Sequence, residues 1–337
     1  MELLCIFAAL AVLFLFCAFL TLKCNLHAAL APLTALGIAV AWLTAAGMAN
    51  LLLPGTVLLW AVFAGSGVWA LVPHKGQHPA YRRLVTPGAV LFWGMALAFA
   101  VYFFIRQPLA TKYDELSLWA TAVKVTKADN RLYALATLGT PWPQTQNPGL
   151  PLLSYFFQFL GHYADWKIYV AYDVLAAAVF AAVLGGLNFR QYRIAVPLAA
   201  ICWFAPWFLT VYNHTIYLDT TYMTAYGDVP AGGAVALWLA LRKTGGPKWA
   251  VLPVLALAAN IKANTFVLSL VAAGLMAVDA WLFAERPFKK GLARRTGFAI
   301  ACFAAPMLIY YFWNIRYVGI LVAKSASEGG CSRNNRS

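Results

Sequence analysis

Long apolar stretches alternate with short polar ones through most of the chain, at 3–22, 28–53, 56–73, 87–105, 168–188, 194–211, 229–241, 249–283 and 297–313. Most reach the roughly 18 to 20 residues that an α-helix needs to cross hydrocarbon at about 1.5 Å per residue. Polar clusters, Pro or Gly bound each run, and such residues stop helices. The pattern predicts a bundle of membrane-spanning helices. The run 149–161 is too short to cross and predicts an interfacial or re-entrant helix.

Basic residues between the runs set the sides. Lys75, Arg82 and Arg83 form one cluster, Arg190 and Arg193 a second, and Arg242, Lys243 and Lys248 a third. Arg286, Lys289, Lys290, Arg294 and Arg295 form the fourth. Excess Lys and Arg mark cytoplasmic loops, so all four clusters are expected on that side. Clusters on one side need an even number of crossings between them. The 249–283 run is therefore expected to be a hairpin, with a polar outward tip from Asn260 through Lys262 to Asn264, and the short run 229–241 counts as a crossing.

The expected fold is an all-α integral membrane protein with about ten transmembrane helices, two exterior loops at 106–148 and 212–228, and the interfacial helix. Residues 1–86 hold three N-terminal helices, 87–323 the core, and 324–337 a polar tail that reads as a short tail or as the end of a truncated frame. Glu2 stands where a signal peptide would carry positive charge, so the first run is expected to be a retained helix.

Composition narrows the function classes. With 63% hydrophobic and 11% charged residues, the chain has too little polar surface for a soluble enzyme, a disordered chain or a collagen-like fibre. The balance of +14 follows from the basic loops and calls for no nucleic-acid partner. The six cysteines, at 5, 17, 24, 202, 302 and 331, have neither metal-ligand spacing nor the look of a disulfide framework.

The candidate chemistry lies in the exterior loops. Asp114 and Glu115 open a predicted short helix that runs to Asn130. At about 100° per residue, Asp114, Ser117, Thr121 and Lys124 share a polar stripe. The same acids would also serve as first-turn caps, with Trp119 in an interfacial aromatic belt. Pro141, Pro143, Gln146, Asn147, Pro148, Gly149 and Pro151 form either a rigid lead that holds polar groups near the headgroups or a plain linker. The second loop places Asp219 and Asp228 among tyrosines, Tyr226 included, with no Lys or Arg, and Asp228 sits at the mouth of a helix. Lys262 and Arg316 are outward cations that either contact a ligand or snorkel. Asp173, inside the 168–188 helix, needs a partner or a wet cavity.

An acidic pair after the 87–105 helix, a Trp soon after it, a Pro/Gly-rich lead into 149–161, and Asp228-Val229-Pro230 entering a helix form an order that resembles the GT-C superfamily of membrane glycosyltransferases. The likeness is to the bacterial protein-mannosyltransferase-like and aminoarabinose-transferase-like members, and covers about residues 87 to 320. It implies transfer of a sugar from a polyprenyl-phosphate donor to an envelope glycan, lipid or protein acceptor. The reaction would take place on the outer face of the cytoplasmic membrane. By the resemblance, Asp114 is the base that deprotonates the acceptor hydroxyl and Glu115 its neighbour or substitute. Asp228 is the second-loop acid that positions the acceptor or a divalent metal, the cofactor being otherwise open. Lys124, Lys262 and Arg316 are the candidate phosphate contacts, and Gln146, Asn147, Asp219 and Tyr226 complete the expected substrate-binding set. Gln146 and Asn147 stand where some members place a phosphate-binding Lys, and three extra helices precede the usual first loop. The rivals are a transporter or flippase, and a truncated non-catalytic membrane scaffold.

Overall fold

A computed structural model describes residues 1–73, 80–111, 115–133, 146–208, 210–212, 218–220, 222, 230–282 and 291–319. Twelve α-helices occur among them. They are α1 (Glu2–Leu22), α2 (Ala31–Met48), α3 (Leu52–Leu71), α4 (Pro87–Arg106), α5 (Ala120–Asp129) and α6 (Gly149–Phe157), then α7 (Trp166–Val183), α8 (Tyr192–Phe208), α9 (Pro230–Thr244), α10 (Leu252–Ala259), α11 (Ala263–Leu282) and α12 (Leu292–Tyr310). The protein is helical and multi-pass: α1, α2, α3, α4, α7, α11 and the extended helix Leu292–Tyr317 are long and apolar enough to cross a membrane. The other three expected crossings fall on shorter helices. These are α8 with 17 residues, α9 with 15, and α10, whose eight residues follow a four-residue 3-10 turn at Lys248–Val251.

Helix ends follow local chemistry. Thr86 caps α4 by accepting the Ala89 N–H at 3.3 Å, and Pro87 opens the helix, where its missing N–H costs nothing. Gln107 closes α4 in the left-handed region. Asn50, at φ 59°, lets the chain turn from α2 into α3 within three residues, while the Leu51 N–H reaches back to the Ala46 carbonyl.

The described members of the four basic clusters gather at one end of the bundle; Lys75, Arg286, Lys289 and Lys290 lie outside the described residues. Arg83 donates to Asn25 at 3.1 Å, Gly186 lies against the Lys243 side chain, and Arg242 pairs with Asp279 near the end of α11 at 2.6 Å. Lys248 lies 5.7 Å from the Phe298 ring centroid near the start of α12. The even-crossing argument from the sequence places these clusters together, and so does the structure.

Helix α7 is the axis of the bundle. It is buried on nearly every face and packs along α4, where Gly88 lets the backbones close: a Cβ there would stand 2.6 Å from the Ala181 carbonyl oxygen. Small residues permit this close approach, the usual device between helices in lipid. Beside it, α2 and the arm 248–260 run parallel in constant register. Thr34 donates to the Ala250 carbonyl, Gly37 abuts Pro253, and Asn260 donates to Thr44.

Two expectations need correction. Of the two alternatives for α6, the interfacial one fails: all nine residues are buried, so no face remains for headgroups, and the re-entrant one is left. The predicted acidic helix begins as a π-turn at Glu115–Trp119 rather than as regular α-helix, and Glu115 in it is fully buried, while of the expected polar stripe Thr121 is half-buried and Lys124 exposed. The all-α class stands, with one small addition among the described residues: an antiparallel ribbon of β1 (Thr210–Tyr212) and β2 (Leu218–Thr220), with Val211 opposite Asp219. Three of its six residues, Thr210, Val211 and Thr220, are β-branched, which favours extended backbone.

Candidate functional site

The end opposite the basic clusters collects the candidate chemistry. Past α4 the chain runs extended along the start of α7. The Ala110 N–H donates to Asp165 at 3.0 Å, and the Thr111 N–H to Glu115 at 3.4 Å. Tyr169, one helical turn beyond Asp165, donates to the same Glu115 oxygen at 3.0 Å. Tyr172 follows on that face, buried, and its hydroxyl has no partner among the described residues. One face of α7 thus holds the acidic π-turn in place.

The floor of this region is the break between α10 and α11. The arm Lys248–Ala259 is about 18 Å long, well short of the roughly 30 Å of hydrocarbon. It ends beside Thr44, one turn before α2 does. A helix that stops inside a bundle leaves carbonyls needing donors. The polar lead supplies them. Asn147 donates its side-chain amide to the Ala259 carbonyl at 2.9 Å, and the Gly149 N–H reaches the Asn260 carbonyl at 2.9 Å. Glycine is required at 149, because a Cβ would lie 2.4 Å from the Asn260 oxygen. The hairpin tip is thus at the expected end; its first residues, Asn260 and Ile261, are buried with the 146–149 loop against them, whereas Lys262 is half-buried and Asn264 exposed.

Around this floor stand a cation and several aromatic rings. Lys262 Nζ is 5.8 Å from the Trp119 ring centroid, a cation–π distance. Tyr133 donates to the Gln146 carbonyl, and burial first, then the neighbouring Tyr317 and Tyr172, pushes its hydroxyl well above the usual tyrosine range. It remains a donor at any ordinary pH. Trp313, fully buried in the π-turn Tyr311–Tyr317, lies 6.3 Å from Tyr133 and stacks on Tyr317 at 5.1 Å. Arg316 is exposed on the same turn. Tyr155 donates to Asn130 at 2.7 Å, and burial pushes it up to about 12.

A second polar cluster lies at this end. Lys167, fully buried, donates to Glu2 and to the His162 carbonyl, and His162 Nδ1 is 3.2 Å from the other Glu2 oxygen. This pins the start of α1 to the start of α7. Lys127 donates to the Phe159 carbonyl at 2.7 Å, and burial, then Lys167, pulls its ammonium below the usual lysine range.

Of the sequence candidates, Glu115, Gln146, Asn147, Lys262 and Arg316 therefore share one end of the bundle, with Lys124 on the adjoining α5. Asp219 is placed only as a strand residue. Asp114, Tyr226 and Asp228 lie outside the described residues. Among the described residues, no three His, Cys, Asp or Glu side chains gather as a metal site. The sequence reading missed Tyr169, Tyr172 and the Glu2–Lys167 pair. The signal for the tyrosines was present: Asp165, Tyr169, Tyr172 and Asp173 recur at helical spacing.

No family model, curated protein or solved structure matches the chain. Its seven candidate spans identify it as a multi-pass membrane protein and leave its chemistry to be argued from the site.

Proposed function

We propose that this protein is a glycosyltransferase of the cytoplasmic membrane that moves a sugar from a polyprenyl-phosphate donor to an envelope acceptor on the outer face. In this reading the chain crosses ten times, the basic end faces the cytoplasm, and the Glu115 end faces outward. One observation carries the proposal. The acidic π-turn, the cation Lys262 with Trp119, and the loop from Gln146 to Gly149 converge at the end opposite the basic clusters, next to where a lipid-linked phosphate would lie.

A sugar on a lipid phosphate already has a good leaving group. A single displacement needs a carboxylate to take the acceptor proton and cations to hold the departing phosphate. Asp114 is assigned as that base. Glu115, its neighbour in sequence, is covered and held by Tyr169 and the Thr111 N–H, and is assigned as a positioning residue. Lys262, Lys124 and Arg316 are the phosphate contacts, and Asp228 with Asp219 and Tyr226 would receive the acceptor from the second loop.

The deciding experiment uses membranes containing the full chain and a polyprenyl-phosphate sugar. Transfer that is lost in Asp114→Asn at unchanged expression supports the assignment; transfer undiminished by that substitution ends it. A transporter is favoured by one feature, the buried Asp173 within α7, whose Oδ2 has no partner among the described residues. Substrate uptake that survives Asp114→Asn and is lost in Asp173→Asn would move the reading there.

A further inference from the structure

At the basic end, far from the site above, a cavity of about 290 Å³ opens between the end of α1, the start of α4 and the end of α9. Among the described residues its lining includes Thr21, Asn25, His27, Arg83 and Thr86, and no carboxylate. We propose that this cavity binds a phosphate group at the basic membrane surface, carried either by an anionic lipid headgroup or by a small soluble phosphate.

The argument rests on donors. Arg83 is fixed by its bond to Asn25 Oδ1 at 3.1 Å, and Asn25 holds that place with φ at 57°. A guanidinium oriented in this way is suited to forked recognition of phosphate oxygens. Thr86 caps α4, so the cavity also meets the positive end of a 20-residue helix. His27 Nδ1 accepts from the Ala29 N–H at 3.4 Å, which leaves the ring proton on Nε2 as a donor. Burial and Arg83 hold this imidazole below its ordinary range, so it donates without charge at neutral pH.

Four carbonyls at the nearby helix ends are already occupied. Phe19 and Leu20, at the end of α1, accept from Lys23 and Leu26; Ala240 and Leu241, at the end of α9, accept from Thr244 and Gly245. An independent sign of a missing ligand is Thr21. It is 1% exposed and lines the cavity, yet its hydroxyl has no partner among the described residues. A buried hydroxyl normally finds one. The volume lies at the small end of ligand pockets, about 300 Å³, and suits a phosphate head rather than a whole lipid. Basic pockets between helices at this surface are suited to anionic headgroups.

The test uses the full-length protein in phosphatidylcholine nanodiscs, with the thermal unfolding midpoint as readout. One arm adds inorganic pyrophosphate, and the other replaces part of the lipid with phosphatidic acid. A saturating ligand is expected to raise the midpoint by roughly 5 °C. A rise with pyrophosphate identifies a soluble phosphate as sufficient; a rise with phosphatidic acid alone identifies the headgroup. Arg83→Gln is expected to remove the rise and Arg190→Gln, a neighbouring loop cation, to keep it. Asn25→Gly keeps both the backbone conformation and the Arg83 charge, and should at least halve the rise. It carries the test if Arg83→Gln does not fold. The proposal is overturned if neither arm raises the midpoint, if both cavity variants respond as the wild type does, or if Arg190→Gln abolishes the response equally.

Discussion

The two ends of the bundle are built by opposite means. At the basic end, helices terminate in short loops with their own caps, such as Thr86 before α4 and the Asn188–Gln191 capping box before α8, and the charges stand largely in solvent. At the other end, helices stop inside the protein, and their loose groups are satisfied by distant segments: Asn147 on Ala259, Tyr169 on Glu115, Lys167 on Glu2. Local closure tolerates substitution, whereas closure from afar requires several segments to arrive together. Polar chemistry that must be held in place is therefore found at the second end.

This contrast can be broken most forcefully through the proposed reaction. Asp114→Asn should lower transfer by about 10²- to 10⁴-fold, the range for loss of a general base, with Arg190→Gln near the wild-type rate. Glu115→Gln, which disturbs only the support, should cost less than Asp114→Asn. Equal losses in a single-turnover assay would make Glu115 the base itself.

Next in size is the half-buried ion pair. Glu2→Ala leaves the fully buried Lys167 ammonium with the His162 carbonyl in place of a carboxylate, and should destabilise the protein by about 2 kcal/mol. Thermal unfolding in detergent would reveal it, and the double variant Glu2→Leu with Lys167→Met should recover most of the loss. Gly149→Ala places a Cβ 2.4 Å from the Asn260 carbonyl oxygen and should cost about 1–3 kcal/mol, accompanied by faster hydrogen exchange around 146–149. Thr86→Ala, at the locally closed end, should cost about 1 kcal/mol.

The smallest effect is one of pH. His27 titrates below its ordinary value of about 6.5 because burial and Arg83 disfavour the cation. The unfolded chain thus binds its proton first, and the native state loses stability as pH falls below about 6.5, with no such loss above it. Arg83→Gln should raise the His27 midpoint in an imidazole NMR titration. An unchanged midpoint would remove Arg83 as a cause.

The sequence made the helical class, the gathering of basic clusters and the 260–262 break readable, because hydrophobic period and charge parity are local signals. It concealed the burial of α6: Gly149–Phe157 reads as a short apolar run whether it lies on a membrane or inside a protein, and only its neighbours α1, α2, α5 and α7 decide. The partnership of Glu2 with Lys167 was also hidden, since a pair 165 residues apart leaves no spacing to read. The roles of Asn147 and Gly149 became clear only once α10 was seen to stop short.

That truncated arm has a consequence for how the cation is held. Because Lys248–Ala259 ends a full turn short of Met48, its last carbonyls are clasped by Asn147 and the Gly149 N–H, and the half-buried Lys262 follows directly on that clasp. Loosening the clasp would therefore release the arm's end and the cation together.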